Sequence, residues 1–507
     1  MILFKYRPRF LRCLFILILP EIIFPANANS QKTNSSIIRN NPMEGPYVSV
    51  YVSTREGDRL AKKEDMKFSR GKNLSLPRLK VDESTRYQYI EGFGATFNES
   101  GMICLNAIAA ETRNGVLKAL FDSATGAGFS LMKSPMAACD FSAAGPWYSY
   151  NDTRGDTAMN NFSIQRDLGS NGLISYIRNA SKFGKFRIET TMDFAPDWMM
   201  FGLAKGKKHI KPEYNSALAK YYSRYLQAYA ANGIIINYLN PFNEADNAWY
   251  SNVTYAEIRD LIKFHIAPRL KRDGLSTKIQ LCETANRPEA IKKLPIVLDD
   301  PEARKYINSL SVHGYDWDQF GSLTDLHKKY PRFPIWQTEV CYALLNNIPV
   351  NGPSKLPVYE FSDGEFWGNM IINDMKNWVS AWIYWNMILD QDGGPWLISI
   401  EHGDPDNNRQ QPVVIINRKT KEVSYTGLYY YLAHFSKFVR QGAYRIDCTG
   451  DSGQLNCAAF INADGSIVLN LINNGPEIKK EILWRNKVII HKFPAHSITT
   501  LLWNSGP

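Results

Sequence analysis

Eight short apolar runs rich in β-branched residues, most ending on a polar side chain and most separated by helical stretches, constrain this chain more than any other feature. They are Gly92 to Phe97, Phe129 to Pro135, Phe186 to Thr191, Ile234 to Leu239, Lys278 to Cys282, Ser309 to His313, Pro334 to Gln337 and Trp382 to Trp385. Apolar spacing at three and four residues predicts helices at Asn106 to Phe121, Asn171 to Ser181, Asn215 to Ala231, Tyr255 to Leu270 and Phe366 to Val379. The alternation predicts an α/β fold, a (β/α)8 TIM barrel. An open doubly wound sheet fits less well, because no Gly-x-Gly-x-x-Gly follows a first strand. The runs also end near polar residues: Asn98, Asp140, Asp193, Glu244, Glu283, Tyr315, Glu339 and Asn386. A polar ring at one end is what a barrel active site requires.

The flanks have a different period. Tyr47 to Val52 and Tyr87 to Ile90 alternate apolar and polar, as do Ser466 to Leu471 and Ser497 to Trp503 near the other end. One accessory β-sandwich built from N-terminal and C-terminal strands accounts for both flanks. Arg55 to Lys72 reads as a charged loop. The predicted organisation is a signal peptide at 1–28, a flexible leader at 29–46, N-terminal sandwich strands at 47–90, the barrel at 91–424 and the rest of the sandwich at 425–507. The signal reading rests on Lys5, Arg7, Arg9 and Arg12, the apolar run Cys13 to Leu19, and Ala26-Asn27-Ala28 as a small-x-small cleavage site. That run is too short to span a bilayer, and no transmembrane segment is expected elsewhere. The expected location is therefore secreted: extracellular, periplasmic or lysosomal, depending on the organism.

Composition narrows the function classes. The formal charge is +10, of which +3 belongs to the signal-like stretch, and the remainder is diffuse. No basic run interleaved with aromatics appears, so nucleic acid is not an expected partner. Only eight His are present, with no His-x-x-x-His near a strand end, so neither a metal nor a cofactor is expected. Cys448 and Cys457 flank a Gly-containing turn and are a candidate disulfide; Cys104, Cys139, Cys282 and Cys341 read equally well as buried thiols. Seven Asn-x-Ser/Thr sequons (Asn34, Asn73, Asn98, Asn151, Asn161, Asn179, Asn252) would be glycan sites in a eukaryotic secretory route.

The chemistry centres on two carboxylates. Glu244 follows the fourth run within Asn240-Pro241-Phe242-Asn243-Glu244, and Glu339 ends the seventh within Phe333-Pro334-Ile335-Trp336-Gln337-Thr338-Glu339. In an eight-stranded ring the fourth and seventh strands face each other across the mouth. Two facing carboxyl groups are the minimum equipment for cleaving a glycosidic bond, one as proton donor and one as nucleophile. The Asn243 amide beside Glu244 suits a sugar 2-hydroxyl.

The chain resembles glycoside hydrolase family 30, particularly its glucosylceramidase branch, from Glu91-Gly92-Phe93-Gly94 to the C-terminal strands. The likeness is carried by Ser134-Pro135-Met136-Ala137-Ala138-Cys139-Asp140-Phe141-Ser142, Asn243-Glu244, Thr338-Glu339, Trp382 to Asn386 with Gly393-Gly394-Pro395, and His434-Phe435-Ser436-Lys437-Phe438. It implies a secreted retaining O-glycoside hydrolase with Glu244 as acid/base and Glu339 as nucleophile. By the same resemblance Asp140, Asn243, Tyr315, Trp385 and Asn386 are sugar-contacting candidates. The implied substrate is a β-linked glucoside or glycan, with glucosylceramide first, a glycolipid met at a membrane surface; a β-1,6-glucan or β-1,6-galactan is the alternative. A silent carbohydrate-binding protein would lack a carboxylate, and both are present. Two departures stand out: Ala245 replaces the proline usual after Asn-Glu, and Asp193 stands where the glucosylceramidases carry a sugar-contacting Trp. Asp193 is therefore a candidate specificity determinant, and Glu283 a further rim carboxylate to which a structural role is assigned.

Overall fold

Eight parallel strands form a barrel in a computed structural model that describes residues 45–506 except 71–75, 143–147, 202–208, 246–250, 346–347, 352–360, 396–408 and 451–452. The signal-like stretch, nearly all of the leader, Asn34 and Asn73 lie outside the described residues. The strands are β1 (Gly92–Ala95), β2 (Leu131–Pro135), β3 (Arg187–Thr191), β4 (Tyr238–Asn240), β5 (Lys278–Thr284), β6 (Ile307–His313), β7 (Ile335–Glu339) and β8 (Val379–Tyr384). They are hydrogen-bonded in ring order, β8 pairs with β1, and the ring closes where Phe97 N–H donates to the Lys133 carbonyl at 2.9 Å. This is the predicted TIM barrel.

Closure needs close backbone approach. A Cβ on Gly94 would stand 1.9 Å from the Leu131 carbonyl oxygen, so only glycine fits where β1 meets β2. Inside, the barrel is layered. Leu131, Tyr238, Trp336, Ala381 and Ile383 form a separate apolar cluster, with Tyr238 and Trp336 edge to face at 4.5 Å between centroids. The next inward positions of β2 and β3, Lys133 and Glu189, are charged and fully buried. The apolar plug keeps water out from below, and the chemistry is confined to the mouth.

Three local expectations are corrected. Ile234 to Leu239 is not one strand: only Tyr238–Asn240 pairs, and Ile234 to Asn237 climbs from the preceding helix, with Ile234 and Ile236 buried and Ile235 59% exposed. Periodicity could not separate an apolar connector from a strand. The charged loop contains a strand, Ala61–Lys67, pairing with Tyr47–Thr54, and its charges are tolerated because they face solvent. The helix drawn from Asn106 is two helices, Glu99–Asn106 and Ala110–Phe121. Two sequons are also excluded as glycan sites: Asn98 and Asn151 are buried, and Asn98 caps the first of these helices through Gly101 N–H at 2.8 Å.

Strands from both ends of the chain share one ten-stranded sheet. Tyr47–Thr54 pairs antiparallel with Ser497–Asn504, and Arg78–Tyr89 lies between Tyr444–Thr449 and Ile478–Trp484. It encloses a second core that includes Val48, Val50, Val52, Ile446, Leu469 and Leu501. The helix Gly427–Ser436 joins it to the barrel through His434, hydrogen-bonded to Ser53 at 3.0 Å and Thr500 at 2.7 Å. Cys448 and Cys457, the candidate disulfide pair, meet across a hairpin with sulfurs 3.0 Å apart. Gly94→Ala should cost about 3 kcal/mol or more, read as a lower denaturant midpoint; an unchanged midpoint would contradict the closure argument.

Candidate active site

Departures from regular strand geometry aim the polar groups at the mouth. Along β5 and β6, Cys282 pairs with Ser311 and Thr284 with Val312, which leaves Glu283 as an extra residue with φ +54°. Along β6 and β7, Val312 pairs with Gln337 and His313 with Glu339, so Thr338 is the extra one. Glu244, just beyond β4, is also left-handed at φ +38°, and its N–H donates to the Glu283 carbonyl at 3.1 Å. Bulges re-aim side chains, and each left-handed non-glycine residue costs about 1–2 kcal/mol. The result is three carboxyl groups converging where strict alternation would have scattered them.

Two cations bind that trio together. Lys133 Nζ lies 2.5 Å from Glu283 Oε2, 3.1 Å from Glu339 Oε2 and 3.4 Å from Asn243 Oδ1. His313 reaches Glu244 Oε1 through Nδ1 at 2.8 Å and Glu283 Oε2 through Nε2 at 2.9 Å. Both its ring nitrogens face carboxylates, so the imidazolium form satisfies every contact. Burial opposes that charge, yet the Glu339 carboxylate and the bonds to Glu244 and Glu283 raise its pKa to about 10. Burial likewise opposes the Lys133 charge, and Glu283 and Glu339 outweigh it and push its pKa well up. Glu283 is held well below the usual carboxylate range because Lys133 and His313 outweigh its burial. Below it Glu189 has no hydrogen-bond partner among the described residues, and burial, followed by the Glu283 charge, raises its pKa well up.

Most of the sequence-predicted residues meet here. One oxygen of Glu244, one of Glu339 and a ring nitrogen of His313 lie within 4.8 Å of one another. Tyr315 donates its O–H to Glu339 Oε1 at 3.0 Å, and Arg287 steadies its loop through Asp316 at 3.0 Å. Trp385 stands over Lys133, 5.6 Å from ring centroid to Nζ, with Phe141 edge-on at 6.4 Å. Asp140 and Asp193 approach each other on the β2 and β3 side, with Asp193 buried. Asn386 differs: it is fully buried, accepting from Asn98 Nδ2 at 3.0 Å and donating to Gln410 at 2.5 Å. Its amide helps to hold the rim.

Sequence reasoning missed Lys133 and His313 and read Glu283 as a rim group. A usable signal existed, since a lysine inside Leu-Met-Lys-Ser-Pro and a histidine ending Leu-Ser-Val-His sit where a barrel interior lies. Glu283 does have the assigned structural role, fixing both cations while Thr338 donates its O–H at 2.6 Å. The spacing of Glu244, His313 and Glu339 resembles a metal triad, but an imidazolium donating from both nitrogens has no lone pair to offer. At Cys139, beside Asp140 and Asp193, burial raises the thiol pKa well up and disfavours the thiolate that a metal would need.

Lys133→Met leaves Glu283 and Glu339 facing each other without their shared cation. Removal of one partner from such a buried pair costs about 3–5 kcal/mol, measurable by urea denaturation, and an unchanged stability would contradict the network. His313 adds a pH signature. Its pKa is raised from 6.5 to about 10 in the fold, so its stabilisation is fully present below pH 6.5 and is lost as the pH rises through 10. His313→Asn should flatten the stability profile across that window; an undiminished slope would refute the imidazolium.

Against this geometry, known proteins give a consistent picture. The glycosyl hydrolase family 30 TIM-barrel domain matches residues 90–439, and the family 30 beta sandwich domain matches residues 442–501. Lysosomal acid glucosylceramidase of Mus musculus is 25% identical over 479 residues, 90% of this chain and 88% of that protein. Endo-1,6-beta-D-glucanase of Neurospora crassa is 27% identical over 451 residues, 82% and 88% of the two chains. Among solved structures, SrfJ from Salmonella typhimurium superposes with a TM-score of 0.81 at 22% identity, covering 91% of this chain and all of that one. Barrel, sandwich and sequence together place this chain in glycosyl hydrolase family 30, a family of glycoside-cleaving enzymes.

Proposed function

We propose that the protein is a retaining β-glycosidase in which Glu339 is the nucleophile and Glu244 the general acid/base. The observation that carries this reading is the approach of Glu244 and Glu339 oxygens to within 4.8 Å. Retaining enzymes hold their carboxyl groups about 5 Å apart, whereas inverting ones leave room for a water at about 6.5–9.5 Å.

In the first step a Glu339 oxygen attacks the anomeric carbon as the bond to the leaving oxygen breaks, and Glu244 transfers its proton to that oxygen. A glycosyl ester of Glu339 results. In the second step Glu244, now a carboxylate, takes a proton from water as the water oxygen attacks the same carbon, releasing Glu339 and the sugar with net retention. Lys133 and Tyr315 each bond a different oxygen of Glu339. They fix the carboxylate's orientation and stabilise it as a leaving group in the second step. His313 bonds Glu244 from below and holds it against its left-handed backbone.

The best single substrate is glucosylceramide, supported by likeness to the mouse glucosylceramidase. A β-1,6-glucan is the second reading, supported by likeness to the Neurospora crassa glucanase. No helix among the described residues is long and apolar enough to cross a membrane, so a glycolipid would be met by an enzyme working at the bilayer surface. Entry into the secretory route directed by residues 1–28 completes the reading; N-terminal sequencing of the mature protein tests it, and a mature chain that still begins at Met1 would refute it.

The purified protein should hydrolyse glucosylceramide in mixed micelles faster than β-1,6-glucan, and turnover of the glucan alone would remove the lipid reading. Glu244→Gln should lower kcat/KM for alkyl β-glucosides roughly 10²–10⁴-fold while sparing kcat/KM for aryl glucosides whose leaving groups need no proton. Equal losses on both would deny Glu244 its role.

A further inference from the structure

Asp193 is the polar group at the mouth that the mechanism above does not use. It follows β3, is 2% exposed, and neither carboxyl oxygen has a hydrogen-bond partner among the described residues. One of its oxygens lies within 4.8 Å of an Asp140 oxygen and of the Cys139 sulfur. The carbonyl of Met192, the residue before it, accepts the Asn243 N–H at 2.9 Å, which ties Asp193 to the strand end that carries Glu244. A buried carboxyl group with nothing to bond costs stability in the free protein. A group kept at that cost at the barrel mouth is explained by a ligand that supplies the missing partners.

Its chemical form follows from its surroundings. Burial, then the Asp140 and Glu339 charges, push the Asp193 pKa well up and outweigh the pull of Lys133, which favours the neutral acid over the carboxylate. A neutral carboxylic acid offers one O–H donor and keeps acceptor capacity, which matches a sugar hydroxyl that must both accept and donate. An indole in this place would offer a flat apolar face and one N–H. A carboxylic acid offers no such face and reads the hydroxyl itself.

Resting on the assignment of Glu339 as nucleophile, we infer that Asp193 is a specificity-determining residue that donates its O–H to a ring hydroxyl of the sugar held against Glu339, with Asp140 accepting from the neighbouring hydroxyl. The sugar is thus selected by hydrogen bonds to a pair of adjacent hydroxyls on this side of the mouth. Glycosides that lack one of them are rejected, because the pocket is then left with an unpaired buried acid.

The test compares kcat/KM of the full-length wild type, Asp193→Ala and Asp193→Asn on an aryl β-glucoside and its 3-deoxy, 4-deoxy and 6-deoxy analogues. Wild type should lose roughly 100-fold or more on one of these analogues. Asp193→Ala should lose a similar factor on the parent glucoside and little further on that same analogue. Asp193→Asn keeps a donor at nearly the same shape and should stay within about ten-fold of wild type on the parent. It also guards against misfolding, since its unfolding midpoint should match the wild type. Losses on Asp193→Ala that are equal across the parent and all analogues, or no loss at all, overturn the inference. Faster cleavage of a β-glucosaminide than of the glucoside by wild type also overturns it, since the acid pair would then be reading an ammonium. Failure of the nucleophile assignment looks different: Glu339→Gln would retain turnover of the parent glucoside whatever the Asp193 variants do.

Discussion

A lysine ammonium with no access to water, wedged between Glu283 and Glu339, is the interaction on which the rest of the site depends. Without Lys133, two carboxylates would face each other in a medium far less polar than water and one would have to take up a proton. With it, Glu283 becomes a fixed negative anchor for His313, and the same ammonium reaches Glu339. His313 in turn reaches Glu244. The chain of contacts Glu339, Lys133, Glu283, His313, Glu244 therefore links the two carboxyl groups proposed to do the chemistry. Each removal leaves an uncompensated charge in a buried place, which explains why such a network persists although an apolar replacement would be cheaper to bury.

The fold supplies what that network costs. The apolar plug of Leu131, Tyr238, Trp336, Ala381 and Ile383 closes the barrel beneath it, and β1 approaches β2 so tightly that Gly94 has no substitute. Strain is concentrated above the plug. Glu244 and Glu283 both take left-handed backbones and are tied to each other by a main-chain hydrogen bond, so the two distortions brace one another. The ten-stranded sheet, joined to the barrel through the His434 contacts, adds a second core and leaves the mouth to the barrel loops.

Much of this was legible in the sequence. Eight apolar runs with helices between them specified the barrel, and polar endings located its mouth; Glu244 and Glu339 were recognisable because each follows such a run. What stayed hidden has a common physical cause. Side-chain alternation assumes regular strands, and the bulges at Glu283 and Thr338 break that assumption where the site is built. Lys133 and His313 were read as strand residues, since a lone sequence does not reveal that a charge has been buried among opposite charges. Asn386 stands at the rim as expected, and there its amide also bonds Asn98 and Gln410. The apolar stretch before Glu244 was misjudged because an exposed Ile235 and a buried Ile236 look alike on paper.

The central claim is that Glu339, oriented by Lys133 and Tyr315, forms the bond to the sugar. It is tested most directly by trapping that bond. Incubation with a 2-deoxy-2-fluoro β-glucoside bearing an activated leaving group, followed by intact mass measurement and peptide mapping, should show one label per chain, on the peptide holding Thr338-Glu339. Label on a different carboxylate, or full labelling of Glu339→Gln, would contradict the account.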